Sequence, residues 1–277
     1  MSALMAQRRG KGAAAGPGTI AVVALWPDEQ ESWLTLPFYE PYREGISARL
    51  RELGYAMDVF WCDGSEAAVR RLRRMLRARG IQGLVIPQAH ESVTRLPFDV
   101  SGFAAAYIGN GIREPHLSRV DAALDFDMRL AWRRARAAGY RRIGLVTWKV
   151  LTEKNEGAWM GSFLNLQREL PKASRLPPLE LEEIRADLAL DWVERQRPDA
   201  LISENGYLLH QLRERYPALG CFSLAWLDSV DVDGVIVGRR EIGAAVVDMV
   251  VAQLTRGERG VPAIPKRVLI EGTWQGA

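Results

Sequence analysis

The chain has 277 residues, with 37 Lys or Arg against 34 Asp or Glu and a formal net charge of +3. The surplus sits in the first eighteen residues, where Arg8, Arg9 and Lys11 meet no acid; the balanced remainder lacks the concentrated basic footprint that a phosphate-binding surface needs. A hydrophobic share of 48% excludes a chain disordered throughout, and Cys62 and Cys221, the two cysteines, exclude a disulfide framework or clustered thiolate metal site and point to a reducing compartment.

In chain order, residues 10–18 (GKGAAAGPG) read as a flexible tether with nothing to bury. Ile20-Ala21-Val22-Val23-Ala24-Leu25 is a continuous apolar run that suits a strand covered on both faces. It is far too short for a membrane span, and the N-terminus has no apolar core of signal-peptide length, so a cytoplasmic protein without a membrane partner is expected. Residues 26–39 form a loop carrying Trp26, Trp33, Phe38 and Tyr39. Pro41 suits the first turn of a helix in which Ile46, Leu50 and Leu53 recur at helical spacing up to Gly54.

Residues 57–61 predict a strand, and Ser65 can cap a helix to Arg79 with Val69, Leu72 and Leu76 on one side. Its six arginines read as a solvated face rather than a DNA contact. Strands are expected at 84–86, 104–108 and 143–148, with a helix over 124–138 ended by Gly139. Helices over 156–170, 188–196, 207–215 and 241–254 alternate with strands at 200–203, 221–226, 234–237 and 267–270. About ten short strands alternating with helices predict parallel sheets, and that many predict two doubly wound α/β lobes with a boundary near 115–122.

No phosphate-binding Gly-x-x-x-x-Gly-Lys-Ser/Thr and no Gly-x-Ser-x-Gly nucleophile elbow occurs. Gly109-Asn110-Gly111-Ile112-Arg113-Glu114 lacks the last glycine of a dinucleotide fingerprint. His90, His116 and His210 are scattered. No catalytic residue, metal or cofactor is therefore assigned.

Open parallel sheets collect ligands at the carboxyl ends of their strands. This chain places Trp26, Asp28, Trp33 and Tyr39 after the first strand, Gln88 and His90 after the third and Asn110 after the fourth. Asp121 lies at the lobe boundary, Trp148 and Asn155 follow the strand beginning at Ile143, Glu204 and Asn205 follow Ser203, and Trp226 and Asp228 follow the strand beginning at Cys221. Aromatic planes beside amides and carboxylates suit a polyhydroxylated ligand, since rings cover C–H faces while polar groups satisfy hydroxyls. Any one of these aromatics taken singly fits core or loop packing better than ligand contact.

The order of several segments resembles the regulatory domain of the lactose-repressor (LacI/GalR) family. These are Phe38-Tyr39-Glu40-Pro41-Tyr42-Arg43-Glu44-Gly45-Ile46, Gly83-Leu84-Val85-Ile86-Pro87, Ala138-Gly139-Tyr140-Arg141-Arg142-Ile143-Gly144, Pro198-Asp199-Ala200-Leu201-Ile202 and Ile270-Glu271-Gly272-Thr273-Trp274. The likeness runs from about residue 19 to 274 and includes Ile242-Gly243 and the run containing Gly257-Glu258-Arg259-Gly260-Val261-Pro262. It implies a periplasmic-binding-protein-like type I body, two doubly wound parallel-sheet lobes joined by three crossovers. The expected division is a connector and tether at 1–18, an N-terminal lobe of 19–118 plus about 234–256, and a C-terminal lobe of 119–233 plus about 257–277.

The resemblance further implies a small-molecule effector, commonly a sugar, held between the lobes of a homodimer that controls DNA. Ser2 to Arg9 resembles the connector after the family's helix-turn-helix headpiece; eighteen residues cannot supply that three-helix reader, so operator DNA is expected to be reached only through a headpiece absent from this chain, which reads as truncated or else as a natural sensor without its own DNA-binding module. The family's usual arginine three positions before Gly161 is Ala158 here, with Trp159 beside it, and its Asn-Asp pair is Asn205-Gly206. Nine tryptophans point instead to a larger or more stacked ligand, such as an oligosaccharide or aromatic glycoside. The ligand-binding candidates are Trp26, Asp28, Trp33, Tyr39, Gln88, Asp121, Trp148, Asn155, Trp159, Asn205, Trp226 and Asp228. A stand-alone solute-binding protein is the alternative. An enzyme would need a titratable pair in the cleft from among Asp28, His90, Asp121, Glu204 and Asp228.

Overall fold

The computed structural model describes residues 18–276, so the expected connector and nearly all of the tether lie outside the described residues. The apolar run after Gly18 forms β1 (Thr19–Leu25), paired in parallel with β2 (Ala56–Cys62) and β3 (Gly83–Ile86). Its alternation serves two layers. Ile20, Val22 and Ala24 face α1 (Glu40–Glu52), while Ala21, Val23 and Leu25 face α2 (Glu66–Ala78), so both faces of the sheet are covered. The Ser65 hydroxyl accepts the Ala68 N–H at 3.2 Å and caps α2 as its sequence predicts, and Leu72 and Leu76 are buried while the arginines point outward.

β4 (Ala104–Ile108) and β5 (Ser118–Ala122) extend this first sheet, which ends in β11 (Arg267–Ile270), giving the order β11-β5-β4-β3-β1-β2, parallel throughout. The second sheet has the order β12-β10-β9-β8-β6-β7. Its strands are β6 (Ile143–Trp148), β7 (Leu179–Leu181), β8 (Ala200–Ser203), β9 (Gly220–Ser223), β10 (Asp233–Ile236) and β12 (Thr273–Gln275); β12 alone runs antiparallel. Around it lie α3 (Leu124–Ala137), α4 (Lys149–Lys154), α5 (Ala158–Leu166), α6 (Ala186–Gln196) and α7 (Gly206–Arg215).

The chain crosses between the lobes three times: from β5 into α3, from β10 into α8 (Arg239–Arg256), and from β11 into β12. This is the two-lobed, periplasmic-binding-protein-like α/β architecture. The strand pairing divides the chain differently from the expected boundaries: residues 119–122 and 267–270 belong to the first sheet, and 234–236 to the second. Hydrogen bonding decides this, since β5 and β11 pair with each other and β10 pairs with β9.

The helix expected over 156–170 is shorter, because Glu156 and Gly157 both take positive φ and separate α4 from α5. In the first lobe α8 lies unusually close to α1. A Cβ on Gly45 would stand 2.0 Å from the Arg240 carbonyl oxygen, and one on Gly243 would stand 2.4 Å from that of Tyr42. Those two glycines let the helix backbones touch, which fixes where Tyr42 and Arg239 emerge at the lobe boundary.

Candidate functional site: a chamber between the lobes

A cavity of about 210 Å³ lies where the carboxyl ends of the two sheets face each other. The first lobe contributes Phe38, Tyr39 and Tyr42 from the segment entering α1, Gln88 and Asn110 from the loops after β3 and β4, and Asp121 from β5. The second contributes Leu151, Lys154, Asn155, Trp159 and Glu204, and Val237 and Arg239 arrive on the second crossover.

Of the twelve residues named as ligand candidates, the chamber brings together Tyr39, Gln88, Asp121, Asn155 and Trp159. The other seven lie elsewhere. Trp26 stands behind the wall: its indole N–H donates to the Gln88 carbonyl at 3.0 Å and its ring meets Tyr39 edge-on at 5.7 Å. Trp33 is core, 2% exposed. Asp28 accepts the Gln30 N–H in its own exposed loop. The Trp148 indole donates to the Glu182 carbonyl at 2.8 Å. Trp226 and Asp228 line a larger groove that adjoins the chamber but lies outside it.

The Asn205 side chain caps α7, accepting the Leu208 N–H at 2.9 Å. Asn205→Ala is therefore expected to cost about 1 kcal/mol of stability in a urea melt, and Asn205→Asp, which keeps an acceptor there, much less.

The chamber is polar, and much of that polarity is unspent. Asn110 is 4% exposed, yet both its amide atoms lack a partner. The Trp159 indole N–H, Glu204 Oε2, and Arg239 Nε and one Nη are likewise buried without partners. Buried polar groups ordinarily find one, so this concentration marks a place prepared for another molecule. Two further contacts span the lobes: Lys154 Nζ donates to the Ala89 carbonyl at 3.1 Å, and Arg119 lies 3.6 Å from the Glu156 carboxylate.

Burial governs the ionisation here. It pushes the Tyr39 phenol up to about 12 and Glu204 up to about 7, the latter against the pull of its own backbone N–H and of the Trp148 N–H, which donates to Oε1 at 2.9 Å. Burial also raises Asp121, opposed mainly by Arg267, whose guanidinium reaches it at 3.1 Å, and it lowers the Lys154 ammonium. The two chamber carboxylates are thus engaged separately, one by a guanidinium and the other by a backbone N–H. Among the described residues no group of three or more His, Cys, Asp or Glu is placed to hold a metal ion, and no helix is long and apolar enough to cross a membrane.

Sequence reasoning reached the chamber from the strand ends but did not single out Tyr42, Lys154 or Arg239 as ligand contacts. Arg239 follows β10, so the same strand-end rule applied there would have found it. It brings a guanidinium to a chamber in which the arginine expected by resemblance is replaced by Ala158.

No protein-family model and no curated protein matches the sequence. Solved structures do match in fold. The transcriptional regulator CelR in complex with cellobiose superposes with a TM-score of 0.65 at 17% identity, covering 93% of this chain and 83% of that one. A periplasmic binding protein/LacI transcriptional regulator from Alkaliphilus metalliredigens QYMF complexed with D-xylulofuranose gives 0.64 at 11% identity, covering 93% and 97%. The LacI family transcriptional regulator CCPA from Weissella paramesenteroides with bound glucose gives 0.64 at 12% identity, covering 92% and 96%. At such identities the likeness establishes the shared fold.

Proposed function

We propose that the chain is the effector-sensing core of a LacI-type transcriptional regulator and takes a sugar or glycoside into the chamber between its lobes. The observation that carries this reading is the chamber wall itself, in which unpaired buried polar atoms and aromatic rings from both lobes converge. Tyr39 and Trp159 offer planes for the C–H faces of a ring, and Gln88, Asn110, Asn155 and Asp121 offer hydroxyl partners. That structures of the same fold hold cellobiose, D-xylulofuranose and glucose supports a sugar.

The mechanism is differential binding. A ligand touching both lobes stabilises the arrangement in which they face each other over any in which they part, adding to the Lys154 and Arg119 contacts that already join them. Driving such an equilibrium from almost fully one state to the other takes roughly 5 kcal/mol of differential affinity. In a homodimer the shift would reach operator DNA through a helix-turn-helix headpiece, as the family resemblance implies. Separate engagement of the chamber carboxylates favours binding over acid–base chemistry.

A thermal-shift screen over neutral and acidic sugars tests the reading. A true effector at a hundredfold excess over its Kd should add about 2.7 kcal/mol, a rise of several degrees, and Trp159→Ala should remove most of it. A screen with no response, or a response indifferent to Trp159, contradicts it.

A further inference from the structure

The chamber shares Phe38, Val237 and Arg239 with a groove of about 770 Å³ outside it, so the two form one compound site with Arg239 at the junction. The Arg239 guanidinium carbon lies 4.3 Å from the centre of the Phe38 ring. Its neighbour Arg240 is paired with Glu44, but Arg239 has no carboxylate partner among the described residues, and its Nε and one Nη are buried without an acceptor. The Tyr42 phenol beside it is a single neutral acceptor, and a guanidinium does not escape by losing its proton, so part of its donor demand is left for another molecule.

The inner chamber leans the same way: Asn110 and the Trp159 indole each leave a donor unmet and Lys154 uses one of three N–H groups on Ala89, against two unmet acceptors, the Asn110 amide oxygen and Glu204 Oε2. Asp121 is already held by Arg267. What remains open inside is mostly donor and positive. The outer groove is more acidic, with the carboxylates of Glu40, Asp228 and Glu241 beside the rings of Tyr207 and Trp226, while its Arg240 is already paired with Glu44. Such a surface accepts from hydroxyls and repels an anion, which gives a bound molecule a direction.

We infer that the effector is an acidic saccharide whose carboxylate or phosphate is held by Arg239 inside the chamber, while a further ring lies in the outer groove against Trp226 and Tyr207. This rests on the reading of the chamber as the effector site. Planar guanidinium recognition suits both anions, and a charge-assisted bond out of water carries more of the affinity than a neutral one.

The test is calorimetric titration of the intact chain with three probes: cellobiose, an aldobiouronic acid of the same length, and glucose 6-phosphate. One or both acids should bind at least about tenfold more tightly than cellobiose, and Arg239→Gln should weaken that acid by about 10- to 100-fold while leaving cellobiose within about threefold. Arg239→Lys should recover part of the loss, and ligand-free melting of both variants shows whether they fold. Trp226→Ala should weaken the disaccharide acid and spare the monosaccharide phosphate. Tight binding of the uronate alone identifies a carboxylate ligand, and of the phosphate alone a phosphate ligand. Cellobiose binding as tightly as both acids, or acid affinity unchanged by Arg239→Gln, overturns the acidic assignment and leaves the sugar-sensing reading standing. Failure of all three probes to bind removes both.

Discussion

Gly243→Ala is expected to destabilise the chain by about 2–3 kcal/mol and to blunt its response to ligand. Alanine is intrinsically better in a helix by about 1 kcal/mol, so the sign depends on what the new methyl meets. At Gly243 it meets backbone: the Tyr42 carbonyl oxygen at 2.4 Å and the Ile46 nitrogen at 3.1 Å. Backbone cannot rotate aside, so α8 has to move off α1, and overpacking of that kind costs roughly 1–3 kcal/mol or more. The same shift displaces Arg239 and Tyr42 at the chamber wall. Gly161→Ala is the control, because no atom lies within 4 Å of the added Cβ in α5. It should raise stability by up to about 1 kcal/mol. Urea melts of the two variants check the pair, and opposite signs from these two helical glycines are what the close approach of α1 and α8 requires.

The second large effect is a pH dependence centred on Asp127. This fully buried carboxyl in the first turn of α3 accepts the Gly272 N–H at 3.0 Å, pinning the third crossover to the second lobe. Burial pushes it up to about 7, outweighing the Gly272 N–H, and the nearby Asp125 charge adds to the rise. A carboxyl raised on folding stabilises the native state while it is protonated. Its contribution is complete below the ordinary carboxylate value near 4 and is lost as pH climbs through about 7. Relative to Asp127→Asn, which keeps the acceptor and cannot ionise, the wild type should therefore lose stability between about pH 4 and pH 8, by at most about 4 kcal/mol. Melting temperatures of the two proteins across that range should diverge as pH rises. Parallel curves would mean that Asp127 is ionised without penalty.

The parallel architecture was legible because β1, β3, β8 and β10 are short apolar runs between turn signals, and buried parallel strands need that pattern. β5 was not legible as a strand. Its sequence Ser-Arg-Val-Asp-Ala carries polar groups that look outward to other tasks, with Asp121 facing the chamber and Arg119 reaching across to Glu156. β7 and β12 have three residues each, too few for a period, and β12 exists only by pairing with β10.

Around the chamber, strand-end reasoning reached Gln88, Asp121 and Asn155, but the emphasis on tryptophan overreached what local sequence can tell. A ring that lines a cavity and one that packs behind its wall have the same local pattern; Trp159 does the first, and Trp26 and Trp33 the second. Arg239 and Arg240 make the point more sharply. They are adjacent and identical, and only the crossover geometry turns one toward Glu44 and the other into the chamber.

The most direct measurement is a crystal structure with the tightest sugar from the screen. The account predicts density between the lobes, in contact with Tyr39 or Asp121 on one side and Trp159 or Glu204 on the other. Density confined to the surface of one lobe, with the chamber walls unaltered and empty, would contradict it.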